Sequence, residues 1–237
     1  MMDTTQRKAV KIAGFLFLFA FIAPTLNWAL VLSKFNIAEN ASATAKNILA
    51  NESIFRLGIT VELFMSIGLI VLGLALYVIL KQINKNLALL ALFLKLIEAT
   101  LMSVTVLIPY IALQLLSSDI RLDVFSQEQL QHPLGLIFNL HTAITAVPMV
   151  FLGLNMMLFS YLLFKSKYIP RLLAGFGIIS FGLIFIQSLL FILAPEYATM
   201  SINQIIFWTP SGLFEIIIGL WLLIKGINMP QVDTQLS

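Results

Sequence analysis

The chain has 237 residues, of which 60% are apolar and only 11% are charged. A soluble domain carries about 25% charged residues, so this composition is typical of a protein dissolved in lipid. The formal net charge is +3, but the basic residues lie at the ends of apolar segments rather than in one patch, which argues against a nucleic-acid partner. Cysteine is absent, which excludes disulfides, thiolate metal sites and thiol nucleophiles.

Six apolar segments are each long enough to cross a hydrocarbon core of about 30 Å as a helix that rises about 1.5 Å per residue. The first follows three basic residues, as in a signal peptide, but it continues past Pro24 and no small-residue cleavage site follows closely, so we predict a retained span. The sequence therefore predicts an all-α bundle of six transmembrane helices, forming one domain over residues 1–237. The predicted spans are 12–32, 55–80, 87–115, 134–164, 172–193 and 205–225.

The distribution of lysine and arginine predicts the orientation of the bundle, because cytoplasmic loops carry an excess of both. With the N-terminus inside, nine basic residues lie on the inner side, four on the outer side and one, Lys95, within a span. Both termini are therefore predicted to be cytoplasmic. The expected partner of the bundle is the lipid bilayer that surrounds it. The outer connection 33–53 is long, and its Ala-rich part predicts an interfacial helix over 42–51.

Five ionisable side chains fall within the predicted spans, although a charge at the bilayer centre costs at least about 2.5–3.5 kcal/mol. Most of them lie between the midplane and the outer surface, which predicts a polar pocket open to the outside. With every glutamate ionised and the histidine neutral, the set carries a net charge of −2. We therefore expect a protonated glutamate, a protonated histidine or a bound cation. The five residues are Glu62, Lys95, Glu98, His141 and Glu215.

Helical periodicity places several polar residues on common faces. His141 and Asn155 share a face of the fourth span, whereas Glu215 and Ser211 share a face of the sixth, with Trp208 one turn further out. Lipid would not solvate these faces, so we expect them to point inward. The predicted ligand-binding set is Glu62, Glu98, His141, Glu215, Asn139 and Trp208.

Each of these residues also has a structural explanation. Lys95 and Glu98 are three residues apart on one helix, so a neutral ion pair is favoured over a binding site. His141 is explained equally well as a hydrogen-bonded core histidine, and Glu62 as a headgroup-level residue near Arg56. Glu215 is the most suggestive, because nothing near it in the sequence neutralises its charge.

Several chemistries are excluded by the residue inventory. The only histidines are His132 and His141, which is too few for a multi-histidine zinc site or for haem held by paired histidines. Gly175-Phe176-Gly177 follows no strand and lacks a third glycine at the required spacing, so it is not a nucleotide motif. We predict no metal site, and the sequence specifies no cofactor.

The second, fourth and sixth spans end alike, with an aromatic residue, three apolar residues and a lysine. Duplication of a helical hairpin would produce this pattern. Interfacial aromatic residues followed by cytoplasmic lysines would produce it too, and the sequence leaves both explanations open. The pairs are Tyr77 with Lys81, Tyr161 with Lys165, and Trp221 with Lys225.

Short motifs along the chain also carry a family resemblance. They include Arg56-Leu57-Gly58-Ile59, Lys95-Leu96-Ile97-Glu98, Ile169-Pro170-Arg171, Leu193-Ala194-Pro195 and Leu220-Trp221-Leu222-Leu223-Ile224-Lys225-Gly226. In their order and spacing, from about Lys11 to Asn228, they resemble the bacterial membrane family called domain of unknown function 4386. The family often has Arg at the position of Lys95. The resemblance implies a bacterial inner-membrane protein and supplies no activity, substrate or cofactor.

The leading functional hypothesis is binding or transport of a small molecule, a lipid headgroup or a cation through the outward-open pocket. A second hypothesis is an intramembrane enzyme that uses Glu215 or Glu98 with His141 as acid–base groups. A third is a structural or assembly protein whose polar residues only fix helix packing. The sequence does not distinguish among them, and it leaves the oligomeric state open.

Overall fold

The computed structural model describes residues 4–33, 41–117, 144–194, 196 and 201–228. This part of the chain forms seven α-helices and contains no strand. Six of the helices are long and apolar enough to cross a membrane, which confirms the prediction of an all-helical, six-span protein. The helices are α1 (Thr4–Asn27), α2 (Ala41–Ala50), α3 (Glu52–Leu80), α4 (Lys85–Ser117), α5 (Ala146–Ser166), α6 (Arg171–Leu193) and α7 (Ser201–Ile224).

The largest differences between the helices and the predicted spans occur in two places. Helix α1 begins at Thr4 rather than near residue 12, because Gln6, Ala9 and Val10 are buried and extend the packed helix beyond its apolar part. A π-helical segment, Trp28–Leu32, continues α1 at its other end. The fourth span was predicted to start at residue 134. Residues 134–143 lie outside the described part of the chain, and the helix described there begins at Ala146.

The six long helices form a closed ring in chain order. Each packs against its neighbours in the order α1, α3, α4, α5, α6 and α7, and contact between α7 and α1 closes the ring. Helix α3 also touches α5 across the interior. Short connections, such as the turns at 81–84 and 167–170, make successive helices antiparallel. The short helix α2 packs against α3 and α4.

Two glycines allow the ring to close tightly. A Cβ atom on Gly219 of α7 would lie 2.8 Å from Leu18 Cδ2 and 3.0 Å from the Gly14 carbonyl oxygen on α1. A Cβ atom on Gly14 would lie 3.0 Å from the Gly219 carbonyl oxygen. Small residues at a crossing let two membrane helices approach closely, and the resulting van der Waals contact stabilises the pair.

The start of α1 and the end of α7 meet at one end of the bundle. Lys11 Nζ donates a hydrogen bond to the carbonyl oxygen of Leu223, and the Asn228 amide donates to the Tyr168 carbonyl oxygen at 2.9 Å. We call this end the basic face, because nine exposed cationic side chains belong to it. They are Arg7, Lys8, Lys11, Lys81, Lys85, Lys165, Lys167, Arg171 and Lys225.

The outside of the ring is apolar, as lipid contact requires. Phe64 of α3 is 60% exposed and Ile179 of α6 is 65% exposed. The interior contains a core in which Phe214 packs edge-on against Phe181, with ring centroids 5.6 Å apart. In water such an exposed apolar surface would drive aggregation, whereas in a bilayer it is solvated.

Candidate functional site

A buried polar cluster lies inside the ring. Lys95 Nζ donates hydrogen bonds to both carboxylate oxygens of Glu98, at 3.1 and 3.0 Å. Asn155 Nδ2 donates to Glu98 Oε2 at 2.7 Å from the neighbouring helix α5. Lys95 and Glu98 are each 1% exposed. These contacts neutralise both charges, so the cluster behaves as a closed structural unit joining α4 to α5.

Local packing explains how a lysine fits in this position. Gly73 of α3 faces the Lys95 side chain, and a Cβ atom there would lie 2.9 Å from Lys95 Cγ. The absence of a side chain at Gly73 therefore makes room for the lysine stem. The ammonium group reaches Glu98 within its own helix, at the i,i+3 spacing that places side chains on one face.

Glu215 of α7 lies at the same level of the bundle, on the opposite side of the ring. Measured from the helix ends at the basic face, Lys95 is ten residues in, Glu215 nine and Asn155 eleven. These separations correspond to about 14–17 Å along the helices. Glu215 is only partly buried, and the charges of Lys95 and Glu98 both act on it electrostatically.

A cavity of about 810 Å³ extends from Glu215 toward the end of the bundle opposite the basic face. Four helices, α1, α5, α6 and α7, contribute to its wall. The residues lining it are Phe21, Pro24, Thr25, Trp28, Thr145, Ala146, Met149, Leu152, Phe181, Gln187, Ser188, Phe191, Ile205, Trp208, Thr209, Ser211, Gly212 and Glu215.

The lining is mainly apolar, in contrast to the polar pocket predicted from the sequence. Its polar members are hydroxyl groups, one amide and the Glu215 carboxyl group. The prediction followed the ionisable residues and included Trp208 as its one aromatic residue, whereas the ring brings together further aromatic residues from α1 and α6. The cavity is therefore amphipathic, with a single carboxyl group among aromatic and aliphatic side chains.

The sequence-predicted residues separate into three groups. Glu215 and Trp208 line the cavity. Glu98 is outside the lining, in the buried cluster with Lys95. Asn139 and His141 lie outside the described residues.

Glu62 is also outside the cavity lining. It lies on α3, 18 residues from the end of that helix at the basic face, or about 27 Å along it. The neighbouring Arg56 pairs instead with Glu52, at 2.7 Å. Glu62 therefore occupies a different level of the bundle from Glu215.

Sequence reasoning missed several cavity residues, among them Phe21, Trp28, Gln187 and Ser188. Gln187 and Ser188 carried a usable signal, since adjacent polar residues in a strongly apolar helix mark an inward face. Trp28 gave no such signal, because tryptophan near a membrane surface is common at lipid-facing positions. Its role in the lining depends on the rotation of α1 within the ring.

Metal chemistry has little support in the described residues. No group of three or more histidine, cysteine, aspartate or glutamate residues is close enough there to hold a metal ion. Glu215 brings one carboxyl group to the cavity, whereas calcium takes six to eight oxygen ligands.

The closed ring of six apolar helices defines a multi-pass membrane protein with an internal amphipathic cavity. A family model described as Domain of unknown function (DUF4386) matches residues 12–226. The chain belongs to this family, as its motifs indicated. No curated protein and no solved structure matches the chain.

Proposed function

We propose that this protein binds a small amphipathic molecule in the cavity between α1, α5, α6 and α7. The observation that carries the proposal is a cavity of about 810 Å³ whose lining is aromatic and aliphatic except for a few polar groups and Glu215. Pockets for small organic ligands are about 300–1,000 Å³, mostly apolar, with a few polar groups that fix the ligand's orientation. The cavity has each of these properties.

The proposal includes an orientation in the membrane. The nine cations of the basic face favour the cytoplasmic side of a bacterial inner membrane, because of the positive-inside bias. The start of α1 and the end of α7 would then both be cytoplasmic, and the cavity would extend toward the outer side. Ligand would reach Glu215 from the outer side of this membrane.

The buried cluster supports a packing role for Lys95, Glu98 and Asn155 rather than a second binding site. Glu98 accepts hydrogen bonds from both neighbours, so its carboxylate is already engaged. Glu215 makes no ion pair with any described residue, and it lines the cavity. We therefore assign ligand contact to Glu215, with Trp208 nearer the mouth.

The test is thermal unfolding of the detergent-purified protein in the presence of a panel of small amphipathic compounds, both charged and neutral. A ligand that binds the native state raises the melting temperature in proportion to its concentration and affinity. We expect at least one compound to raise the melting temperature of the native protein and to have a smaller effect on Glu215→Gln.

Two further variants sharpen this experiment. Glu52→Gln makes the same chemical change at a half-buried carboxylate outside the cavity lining, and should respond to ligand like the native protein. Gly212→Ala alters the cavity wall without changing charge, because its Cβ atom would lie 2.7 Å from Phe21 Cε2 and displace that ring. We expect weaker ligand stabilisation in Gly212→Ala. If no compound in the panel shifts the native protein, the proposal fails and a purely structural role is favoured.

A further inference from the structure

The chemical character of the cavity narrows the class of ligand it would take; this inference rests on the binding function proposed above. Among the described residues that line the cavity, Glu215 alone carries an ionisable group, and no lysine or arginine is present. An anionic ligand would therefore meet no described counter-charge in the cavity and would be repelled by an ionised Glu215.

Lys95 is the one described cation that acts on Glu215, and it is already bound by Glu98. Lys95 acts on Glu215 electrostatically, but its ammonium group is bound to both oxygens of Glu98 at 3.0–3.1 Å. With both carboxyl groups ionised, Lys95, Glu98 and Glu215 together carry a net charge of −1. An unbalanced charge at this depth is costly. A cation next to Glu215, whether a proton or a ligand group, would therefore stabilise this group of three charged residues.

Aromatic residues line the cavity between Glu215 and its mouth. Phe21 comes from α1 and Trp28 from the π-helical segment that continues it, Phe181 and Phe191 come from α6, and Trp208 comes from α7. The faces of aromatic rings attract cations, most strongly tryptophan, and this attraction increases where water is excluded. An apolar ligand would gain from burial alone, whereas an ammonium group would gain from both the rings and the carboxylate.

We infer that the cavity binds an organic cation, an amine or quaternary ammonium with an apolar body, whose charge lies against Glu215 and whose body packs among the aromatic side chains. The described part of the lining does not suit a bare divalent metal ion, because its one carboxylate supplies too few ligands. The charged group comes either from a freely diffusing amphiphile or from the ammonium headgroup of an aminophospholipid, since both present the same chemistry.

Binding of two ions of matched size and opposite charge tests the inference. Tetraphenylphosphonium and tetraphenylborate, and the smaller pair benzyltrimethylammonium and benzenesulfonate, would be titrated into purified protein in a neutral detergent. Tryptophan fluorescence is a direct readout, because two of the three tryptophans line the cavity. We expect the cation of at least one pair to bind about tenfold more tightly than its anion, a preference within the range of cation–π and charge effects.

Three variants separate charge from structure. Glu215→Gln should remove the cation preference, Glu215→Asp should retain most of it, and Glu52→Gln should leave it unchanged. Each variant is first checked for a native elution volume and a cooperative thermal transition. If Glu215→Gln does not fold, the comparison of cation with anion in the native protein and in Glu215→Asp still decides the question.

The outcomes distinguish this inference from the binding function itself. Equal binding of both ions, or a preference for the anion, overturns the cation assignment while leaving the cavity a binding site. Binding of none of the four ions, together with no thermal shift across the compound panel, overturns both. Displacement of bound cation by phosphatidylethanolamine, but not by phosphatidylglycerol, assigns the ammonium group to a lipid. If neither phosphatidylethanolamine nor phosphatidylglycerol displaces the bound cation, the ammonium group belongs to a freely diffusing amphiphile.

Discussion

Lys95 shows how the interior of a membrane protein can accommodate a basic side chain. Its ammonium group is held by Glu98 and its stem fits against Gly73, while Asn155 donates to the same carboxylate. A buried ion pair gives little net stability compared with apolar residues, but loss of one partner leaves an uncompensated charge. The consequence of a mutation here therefore depends on whether one partner is changed or both.

This asymmetry gives a prediction at the residue scale. Lys95→Met leaves the Glu98 carboxylate buried without its cation, and should lower the free energy of unfolding by about 3–5 kcal/mol. The double variant Lys95→Met with Glu98→Gln removes both charges and keeps an acceptor for Asn155, so its stability should return close to native. Thermal unfolding in detergent, with all three proteins compared under one condition, measures the order of stability. A double variant no more stable than the single one would contradict the ion-pair explanation.

Tyr168 provides a pH-dependent prediction outside the spans. It lies in the turn at the basic face, is 3% exposed, and burial raises the pKa of its phenol above 10.0. Between the unfolded and folded pKa values only the unfolded state loses the proton, so stability is complete below pH about 10 and falls as pH rises further. Between about pH 9 and about pH 11, Tyr168→Phe should lose less melting temperature than the native protein does. Thermal unfolding of both proteins in the same buffers measures this difference.

At the scale of helices, the crossing of α1 with α7 closes the ring, and a substitution at this crossing tests whether the close approach is needed for stability. Gly219→Ala would place a methyl group 2.8 Å from Leu18 Cδ2 and 3.0 Å from the Gly14 carbonyl oxygen. Because the second contact is with backbone, the helices must move apart, and we expect a loss of about 1–3 kcal/mol from overpacking. Thermal unfolding of purified protein measures the loss.

The matched control is the same substitution at Gly175 in α6. A Cβ atom there would have only Phe164 Cε2 nearby, at 4.0 Å. Gly175→Ala should therefore be neutral, or gain up to about 1 kcal/mol from the higher helix propensity of alanine. Equal effects at the two glycines would show that the close approach of α1 and α7 is not needed for stability.

The helices themselves were largely predictable from sequence, whereas their neighbours in space were not. Apolar length and flanking charge identify α3 and α6 within a few residues, because both ends are marked by a change in solvation. The contact of Asn155 with Glu98 joins residues 57 positions apart, and nothing in either local sequence specifies it. Periodicity likewise could not separate Glu62 from Glu215, since both are single carboxyl groups in apolar helices and only tertiary packing sets their surroundings.

At the scale of the whole molecule, charge and topology agree. Nine of the fourteen basic residues lie at the basic face, where α1 begins and α7 ends. An even number of antiparallel spans requires these two ends to share a side. The structure shows that the two ends share a side. We propose from the positive-inside bias that this side is cytoplasmic.

The absence of cysteine makes this orientation directly testable. Gln82→Cys places a thiol in the exposed turn at the basic face, and Ser53→Cys places one at an exposed position near the opposite end. A membrane-impermeant maleimide added to intact cells should label Ser53→Cys and leave Gln82→Cys unlabelled until the membrane is permeabilised. The native chain, which has no thiol, is the background control. The reverse labelling pattern would invert the proposed topology and place the cavity mouth in the cytoplasm.

Ring closure also sets the order in which the molecule can be assembled during translation. Five of the six contacts that form the ring join helices that follow one another along the chain, so each can form as soon as the later helix leaves the ribosome and enters the bilayer. The remaining contact, between α1 and α7, joins residues as far apart as 212 positions. Because those two helices are walls of the cavity, the cavity is complete only after α7 has inserted against α1. Under the proposed binding function, a ligand present during synthesis would bind only chains in which this last helix is in place, and would stabilise the insertion of that helix.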